Sequence, residues 1–190
     1  MDSNLLQIRI SGFGGQGVVM MGYVLGKAAS VFESKNATLS QSYGPESRGG
    51  ASACDILIST EEIDYPKVVK PDILVVLSQD AYNTYGRKRP DDCIFIIEKE
   101  LIELADDEIG KKIFPIPATR LAEELGRKIV MNMVMLGFMS AVSNCASSEA
   151  LQKAISTSVP KGTEQLNLKA FETGFEFGLK EIQAVQEKIE

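Results

Sequence analysis

Four glycines fall within the six residues GFGGQG, from Gly12 to Gly17, between an apolar run and a long helical pattern. A glycine-rich turn that runs from a strand into a helix presents unpaired N–H groups and the positive end of the helix dipole. Both favour an anion, such as the pyrophosphate of a dinucleotide or the phosphates of another ligand. Gly12, Gly14, Gly15, Gln16 and Gly17 are therefore candidate binding residues. The same glycines would also serve a tight turn that packs closely and binds nothing. A second loop, SYGPESRGG from Ser42 to Gly50, sets Arg48 among small residues. Its guanidinium can reach a phosphate or carboxylate with bidentate geometry, and it can equally pair with Glu46 in an exposed turn. Tyr43, Gly44, Arg48, Gly49 and Gly50 form the second candidate set. Tyr43 and Pro45 suit either an intersubunit contact or the shape of the turn.

Several chemistries do not survive the rest of the sequence. A dinucleotide fold places an Asp or Glu near the end of its second strand, for the ribose hydroxyls. Here that stretch reads ATLSQSYG, with Ser40, Gln41 and Ser42 at the relevant positions, and Glu33 falls too early. The G-K-[ST] ending of a P-loop is missing, because Val18 and Val19 follow Gly17. A complete absence of histidine removes Ser-His-Asp, Cys-His and His-ligated metal chemistry. Cys54, Cys93 and Cys145 are far apart and lack C-x-x-C spacing, which argues against a disulfide framework, a cluster or a zinc motif. A net charge of −6, with no basic run beyond Gly86–Arg89, argues against nucleic acid. The N-terminus has no signal-peptide pattern, and the most apolar window, residues 129–142, is too short to span a bilayer. These features read as a cytoplasmic protein.

The elements that must position the loops follow from periodicity. With 190 residues, 44% of them hydrophobic, the chain suits one domain over residues 1–190. Short apolar runs alternate with helical patterns, which predicts an α/β fold: a three-layer α/β/α sandwich, Rossmann-like, around a mostly parallel but mixed sheet. Strands are predicted at the LLQIRI run ending at Gly12, at ATLSQ, at Ala51–Ser59, at Asp72–Leu77 and at Cys93–Ile97. A weaker one at Ile113–Pro117 suits a sheet edge, since Pro115 and Pro117 cannot donate to a ladder. The third strand alternates, with Ser52, Cys54, Ile56 and Ile58 on one face, as an antiparallel member would.

Helices are predicted over Gly15–Ser34, from the spacing of Val19, Tyr23, Gly26 and Ser30, then over ATRLAEELG, Val130–Asn144, Ser148–Thr157 and Leu168–Ile189. In the last, Leu168, Phe171, Phe175, Gly178, Ile182, Val185 and Ile189 make one apolar stripe suited to the chain's own core or to a partner helix. Met131, Met133, Met135 and Met139 mark a buried helix or an adaptable surface. Ser78-Gln79-Asp80 lies at the carboxyl end of a central strand, as a helix cap or a ligand contact. Cys54 and Cys93 read as small buried residues.

Taken in order, the start GFGGQGVV, the loop SYGPESRGG, Ile58-Ser59, the segment PDILVVLSQDAY, the N-x-x-x-LG of Asn132–Gly137 and the terminal pattern from Val159 to Gly174 resemble one family over nearly the whole chain. This is the gamma subunit of the 2-oxoacid:ferredoxin (acceptor) oxidoreductases. The resemblance implies a complex that converts a 2-oxoacid and coenzyme A to an acyl-CoA and CO2, passing electrons to ferredoxin or another acceptor. It implies alpha, beta and in some complexes delta subunits as partners, which carry thiamine diphosphate, magnesium and iron–sulfur clusters. No cofactor belongs to the gamma chain itself, and no activity is expected of it alone. Its role would be to brace the larger subunits, with both glycine loops and Arg48 facing them and contributing to the coenzyme A site. An isolated gamma chain would be prone to homo-oligomerise through the surfaces meant for partners. The short separate chain and the LSQDAYNTYG segment look most like the 2-oxoglutarate members, with branched-chain and pyruvate complexes as alternatives. The rivals outside this family are a stand-alone NAD(P) or FAD oxidoreductase that uses Gly12–Gly17 and a pure interaction module with no small-molecule site.

Overall fold

Strands β1 (Leu5–Gly12), β2 (Asn36–Tyr43), β3 (Ser52–Ser59), β4 (Ile73–Val76), β5 (Ile94–Glu98) and β6 (Ile113–Ile116) form a single sheet in the order β2-β3-β1-β4-β5-β6. These are the features of a computed structural model, which describes residues 4–43, 51–108 and 112–186. Pairing is parallel from β1 through β4 and β5 to β6, whereas β3 runs antiparallel to both of its neighbours, β1 and β2. The mixed sheet is thus as expected, and β3 is its reversed strand. Composition explains the difference. The central strand β4 is all apolar and buried on both faces, whereas β3 sends Cys54, Ile56 and Ile58 into the main core and Asp55 to the other face, where Arg9 of β1 grips it at 2.6 and 2.7 Å. The proline-bearing β6 is an edge strand, as its sequence requires.

Among the described residues, six α-helices flank the sheet: α1 (Val18–Lys27, continued by a π turn through Phe32), α2 (Gln79–Thr84), α3 (Ala118–Glu124), α4 (Met131–Ser143), α5 (Ser148–Ser156) and α6 (Glu164–Gln186). One face carries α1 and α3 to α6 over a continuous core; the other carries α2 and loops over Leu74, Val76, Tyr82, Phe95 and Ile97. No helix among the described residues is long and apolar enough to cross a membrane. All four methionines of α4 are buried, so that helix is core. Cys54, Cys93 and Cys145 are buried too, and desolvation pushes their thiols up to about 12, 11 and 11, which keeps them protonated and unreactive near neutrality.

Two helices depart from the periodicity. The buried stripe of α1 is Val18, Met21, Gly22 and Leu25; the Val19-Tyr23-Gly26-Ser30 stripe faces away from the core, with Tyr23 half exposed. Bulk sets this rotation, because Gly22 lets the helix approach Cys54 and Ile56 of β3. Helix α6 begins at Glu164, before the expected Leu168, and its stripe packs on α4: Phe171 is fully buried, and Gly174 and Gly178 lie against Val134 and Ala141. The stripe therefore serves the chain's own core. Ile189 and the Val185 side chain lie outside the described residues.

The π turn after α1 is tied to α5 through Glu33, whose carboxylate accepts from the backbone N–H of Ser147 at 2.7 Å and from Lys35 at 2.8 Å. Desolvation would raise its pKa, but the hydrogen bonds from Lys35 and Ser147 outweigh it and hold the carboxyl below the ordinary range. A lowered folded pKa stabilises the fold above the unfolded value, near 4.5, and that stability fades as pH falls through the folded value. Glu33→Gln should lower the urea midpoint at pH 7 by an amount equivalent to about 1 kcal/mol or less. The gap should close as the pH falls through the folded value, and a gap unchanged from pH 7 to pH 3 would refute the linkage.

Candidate functional site

Both glycine loops spring from the same end of the sheet. Gly12 at the end of β1 is in register with Ser52, and Ser52 with Tyr43 at the end of β2. The mouth of the second loop thus opens beside the first. Ser52 also donates to the Gly12 carbonyl at 3.1 Å, which fixes this row. Gly44, Pro45, Glu46, Ser47, Arg48, Gly49 and Gly50, together with the Tyr43 side chain, lie outside the described residues.

The first loop is held from within. Gln16 accepts from the Phe13 N–H at 2.6 Å and donates to the Leu77 carbonyl at 2.8 Å, so its side chain spans from β1 to the end of β4. Gly15 and Gly17 have φ of 91° and 75°, which L side chains rarely adopt, and Gly17 is the N-cap of α1 with no side-chain cap. Phe13, Gly14 and Gly15 are exposed. The Ser78-Gln79-Asp80 turn resolves as a helix cap: Ser78 accepts from Ala81 N–H at 3.3 Å, and Gln79 exchanges bonds with Glu103 at 2.8 and 3.2 Å.

This geometry disfavours a dinucleotide. In the doubly wound fold the helix after the first strand returns to a parallel strand next door, and that neighbour supplies the ribose carboxylate. Here α1 leads to β2 at the sheet edge, and antiparallel β3 lies between β2 and β1. The missing carboxylate is therefore a matter of topology as well as of residue type. Gln16 additionally occupies the crevice between the ends of β1 and β4.

Instead, the loop opens sideways onto a cleft of about 480 Å³ between the starts of α1, α4 and α6. Asn132 rests against Gly17, where a methyl group would come within 2.8 Å of its Cγ. The two family patterns that sequence left far apart, Asn132–Gly137 and Val159–Gly174, both line this cleft, through Asn132 and through Val159, Pro160 and Asn167. Asn167 donates to the Thr163 carbonyl at 2.8 Å and so secures the start of α6. Arg127 and Ile129 complete the rim, and sequence reasoning passed over both. The signal was Gly126: with φ of 91° it closes α3, its N–H donating to Glu123 O and that of Arg127 to Ala122 O, a geometry that fixes where Arg127 emerges.

The model of the pyruvate ferredoxin/flavodoxin oxidoreductase family matches residues 7–177, spanning the sheet, the glycine loop and the cleft. The chain belongs to that family. It is 48% identical to 2-oxoglutarate synthase subunit KorC of Methanocaldococcus jannaschii, over 90% of this chain and 92% of the relative. The solved gamma subunit of a keto/oxoacid ferredoxin oxidoreductase from Geobacter sulfurreducens superposes with a TM-score of 0.83 at 35% identity, covering 94% and 98% of the two chains. The expected gamma subunit of a 2-oxoacid:ferredoxin oxidoreductase, an enzyme as part of its complex, is borne out. One argument for the 2-oxoglutarate type needs correction. Pyruvate synthase subunit PorC of Methanothermobacter thermautotrophicus, 32% identical, is matched over 95% of its own length, so a short separate chain does not distinguish pyruvate from 2-oxoglutarate members. Degree of identity does.

Proposed function

We propose that this gamma subunit serves a 2-oxoglutarate-oxidising complex that forms succinyl-CoA and CO2 with reduction of ferredoxin or another acceptor. The observation that carries this reading is the 48% identity, nearly end to end, with a 2-oxoglutarate synthase subunit. Thiamine diphosphate, magnesium and iron–sulfur chemistry belong to its alpha, beta and any delta partners. The chain's part is to brace those subunits through the sheet end that bears both glycine loops, and to lend the loops and Arg48 to the coenzyme A site. Support for the last point comes from the exposed backbone of Gly14 and Gly15, from the uncapped α1 N-terminus, and from a register that brings the second loop's mouth alongside.

The test is reconstitution. Alpha and beta subunits are expressed with and without this chain, and acceptor reduction is followed with 2-oxoglutarate, pyruvate and 2-oxoisovalerate. Activity should require the chain and favour 2-oxoglutarate by about tenfold or more, a preference of about 1.4 kcal/mol. A preference for another acid would end the substrate assignment. In the same complex, Arg48→Ala should raise the apparent KM for coenzyme A, and an unchanged value would remove Arg48 from that site.

A further inference from the structure

The cleft beside the glycine loop has an electrostatic character opposite to that of the chain. Net charge is −6, yet among the described residues no acidic side chain lines the cleft, and Arg127 is the charged one that does. Two helix N-termini converge on it, those of α1 and α4, and both lack a side-chain cap and any acid in the first turn. Helices α2 and α5, by contrast, have a serine cap and an acid in the first turn. The nearby α6 terminus has Glu164, whose carboxylate turns back onto the Gly162 N–H at 2.7 Å. Partial positive charge therefore collects in the cleft from two helix dipoles.

A side-chain donor at the cleft points the same way. Asn132 is only 7% exposed, and its Oδ1 accepts from Met133 N–H at 3.0 Å. Because Met133 N–H is a donor, the carboxamide orientation is fixed, and Nδ2 is left facing Gly17 and the cleft with no partner among the described residues. Nδ2 opens on the cleft, where it can donate to an acceptor from outside. The floor is apolar, with Met20, Met133, Val159 and Leu166, and Ile129 stands at the rim, 78% exposed and two residues from Arg127. An exposed isoleucine beside an arginine, above an apolar recess, has the composition of an interface anchor.

We infer that this cleft is a docking pocket for a segment of a large partner subunit, in which an acidic side chain meets Arg127 and Asn132 Nδ2 and an adjacent apolar side chain packs on Ile129 and the floor. The pocket rests on the assignment of the chain as a subunit, and the experiment keeps the two claims apart. Association of the full-length chain with co-purified alpha and beta subunits is measured by biolayer interferometry for wild type, Arg127→Glu, Arg127→Lys and Ile129→Asp, with Lys67→Glu at the opposite end of the sheet as control. Both altered residues are exposed, so the variants should retain the wild-type fold by circular dichroism. Arg127→Glu and Ile129→Asp should each weaken association by about tenfold or more, Arg127→Lys by less, and Lys67→Glu should leave it unchanged. Binding by wild type that neither Arg127→Glu nor Ile129→Asp alters would overturn the pocket while sparing the subunit assignment, as would an effect of only one of the two. Failure of wild type to bind at all would overturn the assignment itself. A melting shift of the isolated chain in inorganic phosphate that Arg127→Glu abolishes, with subunit association intact, would assign the cleft to a small anion instead.

Discussion

Gly174→Ala should leave a folded but strongly destabilised chain. Helices α4 and α6 approach each other through glycine: a methyl at Gly174 would overlap the Val134 carbonyl and come within 2.7 Å of its carbon. A methyl at Gly137 would lie 2.9 Å from both the Phe171 carbonyl carbon and the Phe175 nitrogen. Backbone cannot rotate aside as a side chain can, so the helix axes must separate. That would loosen Phe171, which is fully buried, and the Phe138–Phe177 ring contact at 5.9 Å. Overpacking a close helix crossing costs about 3 kcal/mol or more, which in a chain of this size lowers the melting temperature by about 10 °C. Gly137→Ala should behave alike. Gly26→Ala is the control: nothing lies within 4 Å of a methyl there, and the better helix former should be neutral or stabilise by about 0.5–1 kcal/mol. Thermal melts decide the matter, and a Gly174→Ala protein as stable as wild type would mean that the two helices do not cross this closely. The effect would also reach the cleft, since α4 brings Asn132 to it and α6 brings Leu166 and Asn167.

Residue type told more about elements than about their partners. The apolar runs of β4 and β5, the alternation of β3 and the prolines of β6 could be read directly, because each reflects how many faces a strand buries. The strand order could not, since nothing local to ATLSQSY specifies that β2 pairs with β3 at the edge instead of joining β1. For α1, the spacing of Val19, Tyr23, Gly26 and Ser30 identified a helix but not its buried face, which Met21, Gly22, Leu25, Ala28 and Ala29 make. The glycine loop was legible as a turn with exposed N–H groups. Its closure by Gln16 was not, because a glutamine in a turn carries no signal of its own until folding brings the Leu77 carbonyl within reach of its amide. Asn132, Val159, Pro160 and Asn167 stood out only as parts of family patterns, and they acquire a shared purpose once α4 and α6 bring them to the first loop. Arg127 and Ile129 carry no pattern; the left-handed turn at Gly126 alone places them.

On the thinner side of the sheet a buried ion pair sets up the other large effect. Arg89 and Glu108 have side chains only 8% and 3% exposed; they are joined by two hydrogen bonds, one of 2.9 Å from Arg89 Nη1. The guanidinium also donates to the Gly86 carbonyl at 2.8 Å and lies 4.0 Å from the centre of the Phe95 ring. The hydrogen bond to Glu108 outweighs the effect of burial and holds the Arg89 pKa above its ordinary value, so the guanidinium stays charged. Taking two charges out of water is expensive, and their attraction roughly offsets that cost, so the pair contributes little net stability while each member alone would be strongly destabilising. Arg89→Met should therefore lose about 3–5 kcal/mol in urea denaturation, because Glu108 is left buried without its guanidinium. Glu108→Leu should lose a similar amount for the converse reason. Combining Arg89→Met with Glu108→Leu removes both charges and supplies apolar volume beside Tyr82, Phe95 and Ile97, and it should recover to within about 2 kcal/mol of wild type. Additive losses in the double variant would mean that each side chain acts through separate contacts, the arginine through Phe95 and Gly86 rather than through its carboxylate. Recovery would instead establish that the charges answer mainly to each other, which fits a face covered by one short helix and loops, where an apolar core alone buries little.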